Sequence, residues 1–213
     1  MPVYTSEALI LRTYKLGEAD RIVVFLTRDR GKKRGVAKGA RRVRSRYVGA
    51  LEPMTRAGVA YYEREQRDLV RLNYVEPQRS PLSGLSGDLL GHVGYFAELI
   101  DEWAPEAQSD ERLYRLGSAA VDAIAAGAPV DALARYFEYW ILRLQGVYEA
   151  DPRASAGARA FLDAARTCSP IGLPDVVVST AVLRELEDSH RTKIAMHLEK
   201  DLKSARVLRE MRR

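Results

Sequence analysis

Eight of the sixteen residues from Lys32 to Tyr47, KKRGVAKGARRVRSRY, are lysine or arginine, and none is acidic. Cations at that density repel one another unless an anion neutralises them, so the chemistry they point to is the binding of a polyphosphate chain. Arg41, Arg42, Arg44 and Arg46 fill the second half of the stretch, and guanidinium groups suit forked contacts to phosphate oxygens. In the first half, strand alternation puts Lys32, Arg34 and Lys38 on one side with Val36, and Lys33 on the other. Gly35 and Gly39 remove bulk beside them, so that a sugar-phosphate backbone can come close, and Arg12 with Lys15 extends the groove. These cations are expected to stand unneutralised in the free protein. About six phosphate contacts to a single strand give a slope of log K against log salt near −4. Single-strand binding adds flat rings on which bases stack. Tyr14, Tyr47, Tyr61 and Tyr62 are the candidates; Tyr47 adjoins the basic loop, and one of the neighbours Tyr61 and Tyr62 must face inward. Phe25, inside IVVFLT, belongs to the core.

Other chemistries lack their parts. No GxxxxGK[ST], HExxH or GxSxG occurs, so the usual phosphate-transfer, zinc-hydrolase and acyl-transfer motifs are missing. Glu63, Glu65 and Asp68 are interleaved with Arg64 and Arg67, which reads as charge pairing within a turn rather than a nuclease metal site. Glu18 and Asp20 fix a turn or pair with Arg21. His92 and His197 carry no catalytic duty, and Cys168 is a small packed thiol. No catalytic residue, metal or cofactor is expected.

The elements that position the cations divide the chain. Residues 1–80 hold 18 Lys+Arg against 9 Asp+Glu, and residues 81–213 hold 16 against 20, so a basic module precedes an acidic one. One cysteine in 213 residues permits no internal disulfide, and no apolar run reaches the ~20 residues that cross a bilayer, which together suggest a cytoplasmic protein. Strands are expected over 8–14, 22–27, 32–38, 54–63 and 67–75, joined by LGEAD, TRDRG, the basic loop and an EREQ tip. Five short strands with tight turns suit a small closed barrel. The period then lengthens to about 3.6. Leu89 to Trp103, Leu113 to Ile124 and Leu133 to Leu144 mark three helices, with Gly127 and Gly146 at their ends. A short helical piece over 158–166 and two helices over 180–188 and 191–211 follow, and the boundary between modules lies near Gln78–Leu85.

GEADRIVVFLT (17–27) and AKGARRVRSRYVGALEP (37–53) resemble the amino-terminal signature of the RecO family of bacterial recombination mediators, and HLEKDLKS (197–204) resembles its carboxy-terminal signature. The resemblance implies an α+β protein, an OB-fold barrel over 1–80 followed by a helical domain over 81–213. It implies binding of single- and double-stranded DNA, annealing of complementary strands, and action with RecR, and in many bacteria RecF, to help RecA displace single-strand binding protein (SSB). It implies no nucleotide hydrolysis. The family's four-cysteine zinc site has no counterpart in GVYEADPRASAG, 146–157, so the helical domain is expected to be held by apolar packing. Glu199 and Asp201 replace the glycine and proline of the carboxy-terminal motif, so a helix is expected to run through, with Lys200, Lys203 and Arg206 as further phosphate contacts. The family's helical domain receives the acidic, aromatic-ended SSB tail; Arg135 and Arg143, two turns apart on the third helix beside Tyr136 and Tyr139, are the candidates. Composition alone fits an RNA-binding OB-fold adapter equally well.

Overall fold

The computed structural model describes residues 2–64, 68–82, 87–106 and 108–211. Five strands form the first half: β1 Val3–Leu16, β2 Asp20–Thr27, β3 Gly31–Ala37, β4 Arg56–Tyr62 and β5 Leu69–Arg79. They close into a barrel in the order β1-β2-β3-β5-β4, with β3 and β5 parallel and the other pairs antiparallel. This is the five-stranded OB-type closure, which leaves the short strands without an open edge. Of the EREQ tip, Glu65 and Gln66 lie outside the described residues, as does the neighbouring Arg67, and so does the 83–85 part of the expected boundary. The strand-to-helix change falls between Arg79 and Gly87.

Alternation along the strands divides the apolar residues between two cores. Ala8, Ile10, Val23, Phe25, Ala37, Val59, Tyr61, Val70 and Leu72 fill the barrel. Leu9, Leu11, Val24 and Leu26 point the other way and join the helices in a second, larger cluster with Met54. The register of β1 against β2 shifts between Ile10 and Arg12, which keeps both Leu11 and Arg12 on the helix-facing side. The helices are α1 Gly87–Trp103, α2 Glu111–Ala125, α3 Val130–Leu144, α4 Ala156–Thr167, α5 Thr180–Leu198 and α6 Lys203–Met211, with a 3-10 turn at Pro170–Asp175. Asp110, Ser155 and Ser179 cap α2, α4 and α5 by accepting from Leu113, Ala158 and Val182 N–H.

The carboxy-terminal segment differs from the expectation twice. There is no break near Asp188–Arg191, because buried His190 and Ile194 keep that stretch packed as part of α5. A break does occur at Glu199, in the left-handed region with φ 54°, so the bend survives without glycine or proline. Its cause is tertiary. Glu98 on α1 accepts from Lys203 N–H at 3.2 Å and Ser204 N–H at 2.7 Å, and from the Ser204 hydroxyl, so a carboxylate from another helix caps α6.

One glycine ties the barrel to the chain after α1. Gly31 has φ +70°, and a Cβ there would stand 2.3 Å from the Gln108 carbonyl oxygen, whereas at Gly17, φ +56°, nothing lies within 4 Å. Gly17→Ala is expected to cost about 1 kcal/mol, the conformational penalty alone. Gly31→Ala is expected to cost about 2–4 kcal/mol, since backbone must also move. Urea titrations of the two variants check this, and equal losses would show that the Gln108 contact yields.

Candidate nucleic-acid interface

The cations of the strands are already paired. Arg12 Nε stands 3.4 Å from Asp101 Oδ2 and its Nη2 3.9 Å from Glu98. Lys32 Nζ donates to the Asp101 carbonyl at 2.6 Å and lies 3.4 Å from that residue's carboxylate. Arg34 pairs with Glu106 at 2.9 Å, and Lys33 with Glu63 at 2.6 Å. The expectation that these four stand open to phosphate is therefore corrected, most firmly for Lys32, which is only 9% exposed. The physical reason is that Arg12, Lys32 and Arg34 point out of the barrel where α1 and the chain just after it lie, and Glu98, Asp101 and Glu106 there neutralise them. Lys33 points to the other side of β3, where Glu63, just past the end of β4, neutralises it. Gly35 is corrected as well: its missing Cβ would meet Val70, Leu72 and Phe25 at 3.0–3.3 Å, so it makes room for core and not for a nucleic-acid backbone.

The loop is different. Lys38, Arg41, Arg42, Arg44 and Arg46 are all exposed, and no carboxylate among the described residues pairs with any of them. The loop is nevertheless built. Successive turns close through Arg42 N–H to Gly39 O at 3.1 Å and Ser45 N–H to Arg42 O at 3.0 Å. It is stitched to the β1–β2 hairpin by Arg41 N–H to Ala19 O at 2.9 Å, the Arg41 guanidinium to Gly17 O at 2.7 Å and Gly39 N–H to Asp20 Oδ1 at 2.7 Å. Asp20 thus fixes the basic loop, a longer-range task than its own turn, while Arg21 donates to Thr13.

Tyr47 is not the exposed ring the sequence suggests. It is 2% exposed, sits in the barrel cluster, and donates its hydroxyl to Leu72 O at 3.2 Å. Arg46 lies over its ring, 5.0 Å from the centroid. Tyr47 is an anchor: it holds the loop down, with Arg46 donating to its hydroxyl at 3.1 Å, while Arg41, Arg42 and Arg44 are exposed. Tyr61 is the inward member of its pair, and burial pushes its phenol up to about 12. Tyr62 is half-buried on the outside, and Tyr14 is 47% exposed.

Register relates those two outward tyrosines. Tyr14 on β1 pairs with Ile22 on β2, Ile22 with Val36 on β3, Val36 with Arg71 on β5, and Arg71 with Tyr62 on β4. Directly paired residues share a face, so the five form one outward row across all five strands. The row has no local signal in the sequence, because β3 and β5 are far apart along the chain; Tyr14 and Tyr62 stand out singly, whereas Ile22, Val36 and Arg71 are related only by the register.

In the helical half, two of the three residues expected to meet a partner are buried. Arg135 is 3% exposed and pairs with Glu138 at 2.9 Å and Glu187 at 3.5 Å; Tyr139 is 1% exposed. Only Arg143 is exposed, spread over the rings of Tyr139 and Trp140 at 5.6 and 5.7 Å. Arg135 and Tyr139 are buried because α3 packs against α1, α2, α4 and α5, and its Arg135 meets Glu187 on α5. Glu138 also accepts from Tyr95 Oη at 2.7 Å and contacts His190 Nδ1 at 3.1 Å. Burial, and next the Glu138 charge, hold the Tyr95 phenol well above its usual range. His197 stacks on Trp103 at 5.7 Å, and His92 faces Asp131 at 3.4 Å. Of the carboxy-terminal cations, Lys200 is paired with Glu102 at 2.6 Å, while Lys203 and Arg206 are exposed. Among the described residues, no three or more His, Cys, Asp or Glu side chains assemble where they could hold a metal ion, and no helix is long and apolar enough to cross a membrane.

Comparison with known proteins gives a consistent result. Residues 1–81 match the family model described as Recombination protein O N terminal, and residues 85–150 the one described as Recombination protein O C terminal. The chain is 41% identical over 145 residues to the DNA repair protein RecO of Koribacter versatilis, covering 66% of this chain and 58% of that protein. It is 40% identical over 153 residues to the corresponding protein of Anaeromyxobacter sp. strain K, covering 71% and 59%. Against that of Geobacter metallireducens it is 34% identical over 171 residues, covering 79% and 69%. The matched region thus spans 58–59% of the length of the first two relatives.

Proposed function

Since the chain belongs to the RecO family of DNA repair proteins, we propose that it is a non-enzymatic mediator of recombinational repair that binds single- and double-stranded DNA and anneals complementary strands. The observation that carries this reading is the pinned loop with five exposed cations, none paired with a carboxylate among the described residues. A loop already held in place loses little freedom on binding, so the attraction to phosphate is not spent on ordering it. Screening is the mechanism. Two polyanions brought to one cationic surface repel each other less and meet more often, and pairing speeds up without covalent chemistry.

In the same reading the protein works in the cytoplasm with RecR, and in some settings RecF, and helps RecA take over strands coated with SSB. The exposed Arg143 over its aromatic neighbours is the docking feature for the acidic SSB tail, rather than the buried Arg135 and Tyr139.

The test is an annealing assay with complementary DNA oligonucleotides, bare and SSB-coated, with and without RecR. Faster annealing of DNA is expected. Acceleration of RNA strands only would move the protein to the class of RNA-binding adapters, and an Arg143→Ala protein that binds a synthetic SSB tail peptide as tightly as the parent would remove the docking feature.

A further inference from the structure

The helical half carries a cavity of the opposite sign to the basic loop. We propose that this cavity, between α4, α5 and the segment after α3, takes the side chain of a lysine or arginine from a partner protein. The proposal stands apart from the DNA-binding reading, since none of the lining residues belongs to the barrel.

The cavity measures about 370 Å³; Asp151, Glu185 and Asp188 line it, and no lysine or arginine does. Asp188 is paired with Arg191 at 2.9 Å. Asp151 and Glu185 have no ion pair among the described residues. Each accepts from a backbone N–H instead, Asp151 from Arg153 at 2.8 Å and Glu185 from Ser155 at 2.7 Å. Hydrogen bonds from the Ser155 side chain and backbone hold the Glu185 carboxyl below its usual range, so it stays charged although the Asp151 charge pushes against it. Arg159 acts on Glu185 only through space, since its guanidinium donates to the Ala154 carbonyl. Arg143 stands over the Tyr139 ring and does not line the cavity.

A buried histidine points to the same kind of ligand independently of the carboxylates. His190 lines the cavity, is 1% exposed, and has an Nε2 without a hydrogen-bond partner. Its Nδ1 contacts Glu138 at 3.1 Å, and because a carboxylate only accepts, Nδ1 carries the proton. In the neutral ring Nε2 is therefore a bare acceptor, on the edge turned away from Glu138. No neighbour supplies the missing donor: the Thr192 hydroxyl, also in the lining, is given to Asp188 O at 2.9 Å. A buried acceptor left without a donor costs stability, and a donor brought by a partner removes that cost.

These groups together define the occupant. Two carboxylates and a bare ring nitrogen call for positive charge and several N–H donors. Leu162 and Leu186 offer contact to an aliphatic stem, and the Tyr148 ring, held edge-on by Tyr139 at 4.9 Å, offers a face to a cation. Lysine and arginine combine such a stem with a cationic head that only donates. A metal ion is not the occupant, because the acidic and histidine side chains described do not assemble to hold one. Charge beyond the cavity agrees, since residues 81–213 hold 16 Lys+Arg against 20 Asp+Glu and attract a basic partner. Such a partner and DNA meet halves of opposite sign, so they bind together without competing.

The test titrates the isotope-labelled full chain, followed by NMR, with capped glycine tripeptides whose central residue is lysine, arginine or norleucine, and with putrescine. The lysine or the arginine peptide, at roughly millimolar concentration, is expected to shift the His190 imidazole nitrogens and the Ser155 and Glu185 amides saturably, and the norleucine peptide to leave them in place. Asp151→Asn and Glu185→Gln are each expected to weaken the cationic peptide about tenfold, the lower end for a hydrogen bond to a charged group. A glutamine oxygen can still accept from Ser155, and thermal melts at the parental temperature show that both variants fold. No shift with either cationic peptide would overturn the proposal, and so would undiminished binding by the folded variants. Equal shifts with norleucine would reduce the cavity to an apolar one, and putrescine binding more tightly than both cationic peptides would give it to free amines; either result overturns the protein partner. Oligothymidylate affinity is expected to be the same with and without saturating peptide, and a loss would overturn binding without competition. Failure of the DNA-binding reading shows separately, as a parent that binds no DNA while these shifts persist.

Discussion

In a protein with Arg41, Arg42 and Arg44 all replaced by alanine, the slope of log K against log salt for single-stranded DNA is expected to flatten from about −3.5 to about −1.4. Five exposed loop cations make at most five phosphate contacts, each releasing about 0.7 of a counterion from a single strand; Lys38 and Arg46 remain in the variant. At 0.1 M salt the three lost contacts correspond to a roughly hundredfold weaker complex, and the loss falls equally on all sequences, because phosphate contacts read no bases. The fold is expected to survive, since the anchors of the loop are Tyr47 and backbone groups, and only the Arg41 bond to Gly17 O is removed. Titrations at several salt concentrations decide it. An unchanged slope would mean that the strand passes elsewhere, and a slope near −4 in the parent would mean that a paired strand cation is released to the DNA after all.

The second large effect lies in the helical half. Glu138, 1% exposed, is shared by Arg135, Tyr95 and His190, and it neutralises an arginine that is itself 3% exposed. Glu138→Gln keeps the volume and removes the charge, leaving the Arg135 guanidinium with Glu187 at 3.5 Å as its other acidic partner. Breaking a buried pair from one side costs about 3–5 kcal/mol, and the lower end applies here because Glu187 still compensates part of the Arg135 charge. For a chain of this length that lowers the melting temperature by about 10 °C. Adding Arg135→Met is expected to recover much of the loss, since a buried pair replaced by apolar volume is often neutral. Thermal melts of the parent, the single and the double variant check this; a double variant no better than the single would show that packing, and not charge, was damaged. The DNA salt slope serves as a control and is expected to stay put in both.

How far the residues alone reach can be judged strand by strand and cation by cation. The β1–β2 hairpin, the two-then-3.6 change of period near residue 80 and the helix ends at Gly127 and Gly146 are all local signals. Each depends on neighbours within a few positions, and each is present in the fold. The same holds for the exposed arginines of the loop, which are too crowded and too polar to bury. Local signals mislead where a long-range partner decides the outcome. Lys32 and Arg34 look like their loop neighbours in sequence, but Asp101 and Glu106, some seventy residues on, neutralise them. Tyr47 looks like a stacking platform, but Leu72 O lies where its hydroxyl can reach it. The α5–α6 bend lacks glycine and proline, but Glu98 caps the next helix.

The amino-acid order by itself thus determined the strands, the first three helices, the charge split and the exposed basic loop, because periodicity, turn chemistry and like-charge repulsion act over short stretches of chain. Only the tertiary structure decided which cations stay unpaired and which outward side chains line up. Ion pairing depends on distance through space, and the row from Tyr14 to Tyr62 exists only when the barrel closes and brings β3 beside β5.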